Sequence, residues 1–337
     1  MQALRPHALD RVVGLLTQRV RLFSQGWGEE DVIAQFETPP FVAVPAPAQP
    51  RWGPIHRGAR RVRCDGTFVS PIERLPPEVR TARVRWIRAD RPTHTAILVL
   101  TSAGDEGFWL RSRLFGPLAD EGIDVFLLEN PFYGGRRPNG QRGGRIRTVA
   151  DHALMNFATI EEARALLAWL RGNGWNRLGL VGYSMGGFMA AAAASLTTEP
   201  LAVSVLAAGA SSAKALTRGF ISRSIDFTAL GGSLDQAEAA RERLALLFEK
   251  ADLAHFPPIP RPAAAILVAC ERDGFVPAEV VEALHAHWPG SELRRIDAGH
   301  ISAVFTHRKQ LRAAVRDALD RLPASPTLHA TLHATLQ

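Results

Sequence analysis

The sequence predicts an α/β fold built on a mostly parallel, doubly wound sheet. From residue 95 onward, short continuous apolar runs alternate with longer stretches of helical periodicity, such as residues 149–170. Apolar runs of this kind suit strands that are buried on both faces of a parallel sheet. They occupy residues 96–100, 123–128 (broken by Asp124), 178–181, 201–206 and 263–269. Repeated alternation of strand and helix is typical of a doubly wound α/β sheet.

The first part of the chain is predicted to extend this domain. Residues 9–23 place apolar side chains on one face of a helix, and that face is expected either to dock on its own domain or to lie on a membrane surface. The Pro-rich residues 39–60 are interpreted as an irregular connector. Residues 67–69 and 82–86 alternate in polarity and predict antiparallel strands at the edge of the sheet.

A segment over residues 212–260 interrupts the strand–helix alternation between two predicted strands. It combines apolar residues with a long charged helix near residues 236–250, and we interpret it as an inserted cap. We therefore predict a single domain over residues 1–323, in which residues 1–60 supply the first helix and the connector. The repetitive tail over residues 324–337 is predicted to be disordered.

The composition is that of a globular protein with few cysteines. Apolar residues make up 46% of the 337 residues, and the formal net charge of +7 is carried almost entirely by arginine. No apolar run approaches the roughly 18 residues that span a bilayer, and we expect no secretory signal. Cys64 and Cys270 cannot form a disulfide framework, so a reducing cytoplasm is expected. The positive charge follows either from an Arg-rich base composition or from attraction to anionic surfaces, but no nucleic-acid module is recognisable, and nucleic acid is not an expected partner.

Residues 182–187 carry the pattern of a nucleophile elbow. The run Gly-Tyr-Ser-Met-Gly-Gly follows a predicted buried strand and precedes an Ala-rich helix. In this context a strained turn pushes the hydroxyl of Ser184 outward, and the glycines two residues on either side avoid a clash with neighbouring backbone. The helix offers its positive end and the N–H of Met185 to a developing oxyanion. We predict Ser184 as a nucleophile.

The base and the acid follow two later strands. His300 comes just after the predicted strand at residues 292–296, and Asp273 just after the strand at residues 263–269. Both therefore lie at the carboxyl ends of strands, where open α/β sheets build their sites. The order Ser, Asp, His is that of the α/β-hydrolase fold, which the sequence thus predicts. Glu271 is the nearest rival of Asp273 and is expected at the surface.

Two loops are candidates for the remainder of the site. The loop after residues 96–100 should supply a second oxyanion donor, either Ala103 or Gly104. The aromatic residues near the predicted site are interpreted either as an acyl pocket or as core packing, and they are Phe108, Trp109, Phe132 and Tyr133. Arg136 and Arg137 belong to an arginine cluster with Arg142, Arg145 and Arg147. This cluster is interpreted either as a phosphate-binding loop or as a solvated basic loop.

Several segments resemble the family typified by α/β-hydrolase domain-containing protein 18. The Glu-Asn-Pro-Phe-Tyr-Gly segment at residues 129–134 is the most specific of them, and the others are residues 23–28, 68–71, 182–187 and 219–227. The resemblance implies one hydrolase domain that includes the amino-terminal helix, with the triad on Ser184, Asp273 and His300. The chain departs from the family pattern in the loop after residue 100, where Ser102 stands in place of an expected glycine. The family's eukaryotic branch is associated with mitochondria and with acyl chains of membrane phospholipids, but we do not extend the location to this bacterial-looking chain.

These residues predict acyl transfer from an ester to water, without a metal or an organic cofactor. The expected partner is a small-molecule or lipid acyl ester. A peptidase or amidase with the same triad and a catalytically silent ligand-binding protein are alternative interpretations. A third interpretation is peripheral contact with a membrane through the amino-terminal helix.

Overall fold

A computed structural model describes residues 5–58, 61–91 and 93–323 of the chain. The predicted disordered tail at residues 324–337 lies outside the described residues. Within the described residues the strands form one nine-stranded sheet in the order β1-β2-β3-β5-β4-β6-β7-β8-β9. The strands are β1 (Arg51–Arg57), β2 (Val62–Val69), β3 (Thr81–Ile87), β4 (Thr95–Leu100), β5 (Ile123–Glu129), β6 (Arg177–Tyr183), β7 (Ala202–Leu206), β8 (Ala265–Cys270) and β9 (Glu292–Ile296).

Helices cover both faces of this sheet, and three of them lie in the segment between β7 and β8. They are α1 (Ala8–Leu16), α2 (Glu30–Ile33), α3 (Trp109–Phe115), α4 (Val149–Gly172), α5 (Met185–Ser195), α6 (Ala213–Thr217), α7 (Phe227–Gly231), α8 (Ala237–Lys250), α9 (Ala278–His287), α10 (His300–Thr306) and α11 (Arg308–Asp320). One core lies under α4 and α5, and a second lies under α3 and α11 on the opposite face. Because β4 to β8 are covered on both faces, their side chains are buried almost without interruption.

The parallel part of the sheet confirms the predicted fold class. Strands β5, β4, β6, β7, β8 and β9 pair in parallel, each near the apolar run or segment that predicted it. Their carboxyl ends therefore meet at one edge of the sheet. The predicted antiparallel strands are also present, since β2 pairs with β3 and β3 pairs with β5 in antiparallel register.

The interpretation of residues 39–60 as an irregular connector is wrong for its second half. Residues 51–57 form β1, which among the described residues pairs with β2 alone and is the outermost strand of their sheet. Pro54 lies inside this strand, where the pairing register shifts between Trp52 and Ile55. An outer strand tolerates a proline because one of its edges has no ladder hydrogen bonds to lose, and a bulge absorbs the irregularity.

The amino-terminal helix is shorter than its apolar pattern suggests, and it turns another face to the protein. It ends at Leu16, and Arg21 and Phe23 adopt positive φ angles of 51° and 60° beyond it. Its buried residues are Asp10 and Gly14, whereas the apolar stripe on the other side stays largely exposed. No helix in residues 5–58, 61–91 and 93–323 has the length and the apolar character needed to cross a membrane.

Candidate active site

The turn after β6 has the geometry of a nucleophile elbow. Ser184 adopts φ 54° and ψ −128°, a strained conformation for a residue with a side chain, and its amide donates to the Leu206 carbonyl at 2.8 Å. A Cβ on Gly182 would overlap the backbone of Gly186, and a Cβ on Gly186 would lie 2.7 Å from the Leu100 carbonyl oxygen. The two glycines therefore let α5 pack close to β4 and β6 while the serine projects from the sheet edge.

Three side chains form a continuous hydrogen-bonded chain at this edge. The Nε2 atom of His300 lies 2.8 Å from the Oγ atom of Ser184, and its Nδ1 atom lies 2.7 Å from the Oδ2 atom of Asp273. The other carboxylate oxygen of Asp273 accepts from the amides of Phe275 and Val276 at 2.8 and 2.7 Å. The Asp273 side chain is 2% exposed, with one carboxylate oxygen held by the turn that follows β8 and the other in contact with His300. Glu271 is half-buried in the same turn and has no such contact with the histidine.

His300 is enclosed by aromatic rings and by carboxylates. The rings of Tyr183 and Phe275 lie with their centroids 5.2 and 5.3 Å from the imidazole. Burial lowers the pKa of His300, but the charge and hydrogen bond of Asp273, together with the charge of Asp10, outweigh it and raise the pKa above 6.5. The tyrosine hydroxyl donates to the His300 carbonyl, and burial raises the tyrosine pKa well above its usual range. The neighbours of the imidazole are therefore arranged to stabilise a positive charge on it.

The loop after β4 and the first residue of α5 both reach the cavity that Ser184 lines. Met185 is the first residue of α5, so its N–H has no acceptor within that helix. Ala103 and Gly104 both line the same cavity as Ser184. The N–H of Gly104 donates to the hydroxyl of Tyr133 at 3.4 Å, whereas none of the described residues accepts from the N–H of Ala103. Buried Asp105 holds the loop through an ion pair with Arg111 at 2.7 Å.

A cavity of about 560 Å³ opens beside Ser184 and His300. This volume is in the range of small-molecule pockets in proteins. Its wall is mostly apolar and combines α1, α4, α5 and the segment between β7 and β8, through Val13, Phe157, Ile160, Phe188, Leu216, Ile221 and Phe248. The segment predicted as a cap thus supplies part of the wall over the nucleophile.

Most of the predicted pocket aromatics lie elsewhere. Tyr133 lines the cavity, but Phe108, Trp109 and Phe132 are not among the described residues that do. Phe108 is buried, and the Cζ atom of Arg85 lies 4.7 Å from the centroid of its ring. Phe132 is fully buried in the core beside α4. Trp109 is 68% exposed at the start of α3. For Phe108 and Phe132 the core-packing interpretation therefore replaces the acyl-pocket interpretation, whereas exposed Trp109 fits neither of them.

The assignment of Arg136 as a substrate-binding residue is also corrected. Arg136 is 1% exposed, and both of its terminal nitrogens donate to the carboxylate of Glu162 at 2.7 Å. Its remaining bonds go to the carbonyls of Val79 and Glu129, so its donors are occupied inside the protein. Arg137 pairs with Glu106 at 3.2 Å outside the cavity wall. The cluster reaches the cavity instead through two exposed residues, Arg142 and Arg145, which form no ion pair with any described residue.

Three residues near the site were not predicted from the sequence. His152 and Asn156 line the cavity from α4, and burial lowers the pKa of His152 to about 4, so this imidazole is neutral. Asp10 is fully buried against the turn that carries His300. A lone carboxylate near an apolar helical stripe is the only local signal for it. No three His, Cys, Asp or Glu side chains in the described part of the chain cluster in a way that could hold a metal ion.

A family model for α/β hydrolase domain containing 18 matches residues 20–238 and 233–321. The chain belongs to this family. The predicted resemblance is thereby confirmed, and the family places the chain among the hydrolases of the α/β-hydrolase fold. Ser184, Asp273 and His300 all lie within the matched residues.

Solved structures of esterases share the fold of this family member. Acetyl xylan esterase 1 from Thermoanaerobacterium sp. JW/SL YS485 has a TM-score of 0.59 at 16% identity, over 91% of this chain and 98% of that chain. An acetyl xylan esterase from Paenibacillus sp. R4 has a TM-score of 0.57 at 14% identity, over 89% and 98%. A cold-adapted esterase from an Arctic intertidal metagenomic library has a TM-score of 0.51 at 13% identity, over 81% and 100%. At these identities the likeness shows the fold.

Proposed function

We propose that this protein hydrolyses a carboxylic ester through an acyl-enzyme on Ser184, with His300 as general base and Asp273 as the orienting acid. The observation that carries the proposal is the unbroken chain of contacts at 2.7 and 2.8 Å from the acid through the imidazole to the serine hydroxyl. An imidazole held in one tautomer by a carboxylate can accept the proton of an adjacent serine hydroxyl.

The proposed reaction has two acyl-transfer steps. In the first, the Ser184 hydroxyl attacks the ester carbonyl while His300 takes its proton and then gives that proton to the leaving alcohol. In the second, His300 takes a proton from water, which attacks the acyl-enzyme, and then returns the proton to Ser184. The raised pKa of His300 favours the imidazolium that forms in both steps.

The amides of Met185 and Ala103 are the proposed oxyanion donors. Both residues line the cavity beside Ser184, and the first lies at the positive end of an eleven-residue helix. Of the two candidates in the loop after β4, Ala103 is preferred because the N–H of Gly104 is already directed to Tyr133. Preorganised donors of this kind stabilise the charge that develops on the carbonyl oxygen.

The cavity wall supports a substrate with an apolar acyl group. Burying apolar substrate surface against this wall contributes roughly 25 cal/mol per Å². Arg142 and Arg145 at the same cavity are exposed, and planar guanidinium groups bind phosphate oxygens in pairs. We infer that the substrate class is a lipid acyl ester with an anionic head group. The esterases that share the fold are named for ester cleavage, which favours an ester over an amide.

The reaction class is tested with p-nitrophenyl esters graded from acetyl to palmitoyl, alongside a matched p-nitroanilide. We expect hydrolysis of the esters that rises with chain length and is lost in Ser184→Ala. Faster cleavage of the anilide would establish an amidase instead. Absence of turnover on every substrate, together with retained ligand binding, would support the silent binding protein.

The head-group proposal is tested by replacing Arg142 and Arg145 together with Gln. We expect KM to rise about 10-fold for a lysophospholipid and to change less than about 2-fold for an uncharged ester of equal chain length, with the difference shrinking at high salt. The matched control is Arg137→Gln, which removes one guanidinium from the same loop outside the cavity wall. Equal effects on both substrates at low salt would contradict an anionic head group.

Peripheral contact with a lipid surface is a second proposal, which the exposed apolar face of α1 favours. Leu9, Val12 and Leu16 are exposed on this helix, while Val13 of the same helix lines the cavity. An amphipathic helix of this kind can bury its apolar face in a membrane interface. Replacing the three exposed residues with Ser should reduce sedimentation with anionic vesicles while leaving turnover of a short soluble ester intact. Unchanged sedimentation would contradict this contact.

A further inference from the structure

Asp10 connects the amino-terminal helix to both turns that carry the proposed acid and base. Its carboxylate is fully buried and accepts three backbone N–H groups, from Gly274 at 3.0 Å, His300 at 2.7 Å and Ile301 at 2.9 Å. The first donor follows Asp273 directly, and the other two begin α10. A buried carboxylate is costly to desolvate unless such donors compensate it, and here the compensation ties two loops together.

Further contacts hold α1 against the same two turns. The amide of His7 donates to the Arg272 carbonyl at 3.0 Å. Gly299 lies directly against the helix, because a Cβ there would overlap the Cβ atom of His7 and lie 2.7 Å from the Oδ1 atom of Asp10. On its other side, α1 packs through Gly14 against Phe220 of the segment between β7 and β8. The helix therefore occupies one fixed position beside the proposed triad.

The electrostatic surroundings of His300 include the same carboxylate. The charged groups facing the imidazole are Asp273 and Asp10, and the remaining titratable neighbours are Tyr183 and Cys270. Burial raises the pKa values of the tyrosine and of the Cys270 thiol, so both stay neutral at ordinary pH. An imidazolium at His300 thus faces two negative charges, of which only the Asp273 carboxylate contacts the ring.

We propose that Asp10 is a positioning residue for the reaction, because it fixes the His300 turn against the Asp273 turn and supplies a second negative charge near the imidazole. This inference rests on the proposed function. Asp10 lies ahead of the residues that the family model matches, which begin at residue 20. The amino-terminal helix then contributes one positioning residue, Asp10, which does not touch the reacting atoms.

The test compares Asp10→Asn with wild type and with Asp297→Asn as a matched control. The asparagine keeps the shape of the side chain but removes the charge and turns an NH₂ group toward the amide donors. We expect kcat to fall about 10- to 100-fold with KM within about 2-fold, because a displaced histidine loses its alignment with Ser184. Asp297 is exposed, pairs with Arg272 and lies three residues before His300, so its replacement should change kcat less than about 2-fold.

The pH profile separates positioning from a purely structural role. Because the Asp10 charge raises the pKa of His300, its removal should move the acid limb of kcat/KM to lower pH. An NMR titration of the His300 ring, which needs no substrate, should likewise give a lower pKa in Asp10→Asn than in the wild type. Asp297→Asn should leave the limb where it is.

Gly299→Ala provides a second variant in case Asp10→Asn fails to fold. Its φ of −87° allows alanine, but the added methyl group displaces α1, so it should slow turnover and fluorophosphonate labelling as Asp10→Asn does. Wild-type kcat and an unshifted His300 titration in folded Asp10→Asn, or wild-type kinetics in Gly299→Ala, would overturn the proposal. A wild-type protein that does not label would contradict the proposed hydrolase, while the histidine titration would still decide the role of Asp10 beside the ring.

Discussion

Two kinds of segment contribute to the site in different ways. The first are the turns that follow β6, β8 and β9, and the second are the segments that converge on these turns from elsewhere in the chain. Each turn carries its reactive side chain within a few residues of the end of its strand, as Ser184, Asp273 and His300 show. The converging segments, residues 5–36 and 130–147, act through long-range contacts, such as the bond from the His300 amide to Asp10 over 290 residues. The groups proposed for chemistry are therefore marked locally, whereas the groups that hold them depend on tertiary structure.

The first prediction, with the largest expected effect, is that a substitution in the turn after β8 lowers the rate without lowering stability. Asp273→Asn should lower kcat by about 10⁴-fold, because His300 then adopts the wrong tautomer for accepting the Ser184 proton. Thermal unfolding should change little, since the amide oxygen can still accept from the Phe275 and Val276 amides. The matched control, Glu271→Gln, should stay within about 2-fold of wild type. A crippled glutamine variant beside an active asparagine variant would reverse the assignment of the acid.

The second prediction concerns Arg136 in the converging segment over residues 130–147, where we expect a loss of stability without a loss of rate. Arg136→Gln leaves the fully buried carboxylate of Glu162 without its partner, and breaking a buried pair in this way costs about 3 kcal/mol or more. The urea midpoint should fall accordingly, while the folded fraction keeps wild-type KM. Arg137→Gln, which breaks a partly exposed pair with Glu106, should cost less than about 1 kcal/mol. Equal urea midpoints for the two variants would contradict a larger contribution of the buried pair to the free energy of unfolding.

The third and smallest effect concerns pH and both regions together. Because the pKa of His300 is raised, the imidazole becomes protonated at a higher pH than a free histidine, and the protonated ring cannot accept the serine proton. We expect kcat/KM for an uncharged ester to fall about 10-fold per pH unit below a midpoint above 6.5. Initial rates at saturating and limiting ester across this range provide the measurement. A midpoint below 6.5 would mean that burial outweighs the two carboxylates.

The parallel sheet and the residues of the proposed triad could both be predicted from the sequence, for one physical reason. Continuous apolar runs and the glycine-flanked Ser184 are local patterns, and parallel strands bring their carboxyl ends to a common edge. Strand β1 escaped prediction because Pro54 and its proline-rich surroundings resemble a loop, and only pairing with β2 makes that segment a strand.

The remaining site residues could not be predicted because their roles depend on distant partners. Arg136 belongs to an arginine-rich loop whose composition indicates exposure to solvent or binding of phosphate. It is nevertheless buried, and it donates to the carboxylate of Glu162 on α4. Arg142 and Arg145, a few residues further on, line the cavity instead. Asp10 shows the same dependence, since its three amide donors lie more than 260 residues away along the chain.

The most direct test of the central claim is to locate the residue that reacts with a fluorophosphonate. The intact protein is labelled, digested and analysed by mass spectrometry, with Ser184→Ala as the comparison and Ser195→Ala, at the buried end of the same helix, as the matched control. We predict a single adduct on the peptide that contains Ser184, full labelling of Ser195→Ala and no labelling of Ser184→Ala. An adduct on another serine, or undiminished labelling of Ser184→Ala, would contradict the proposed nucleophile.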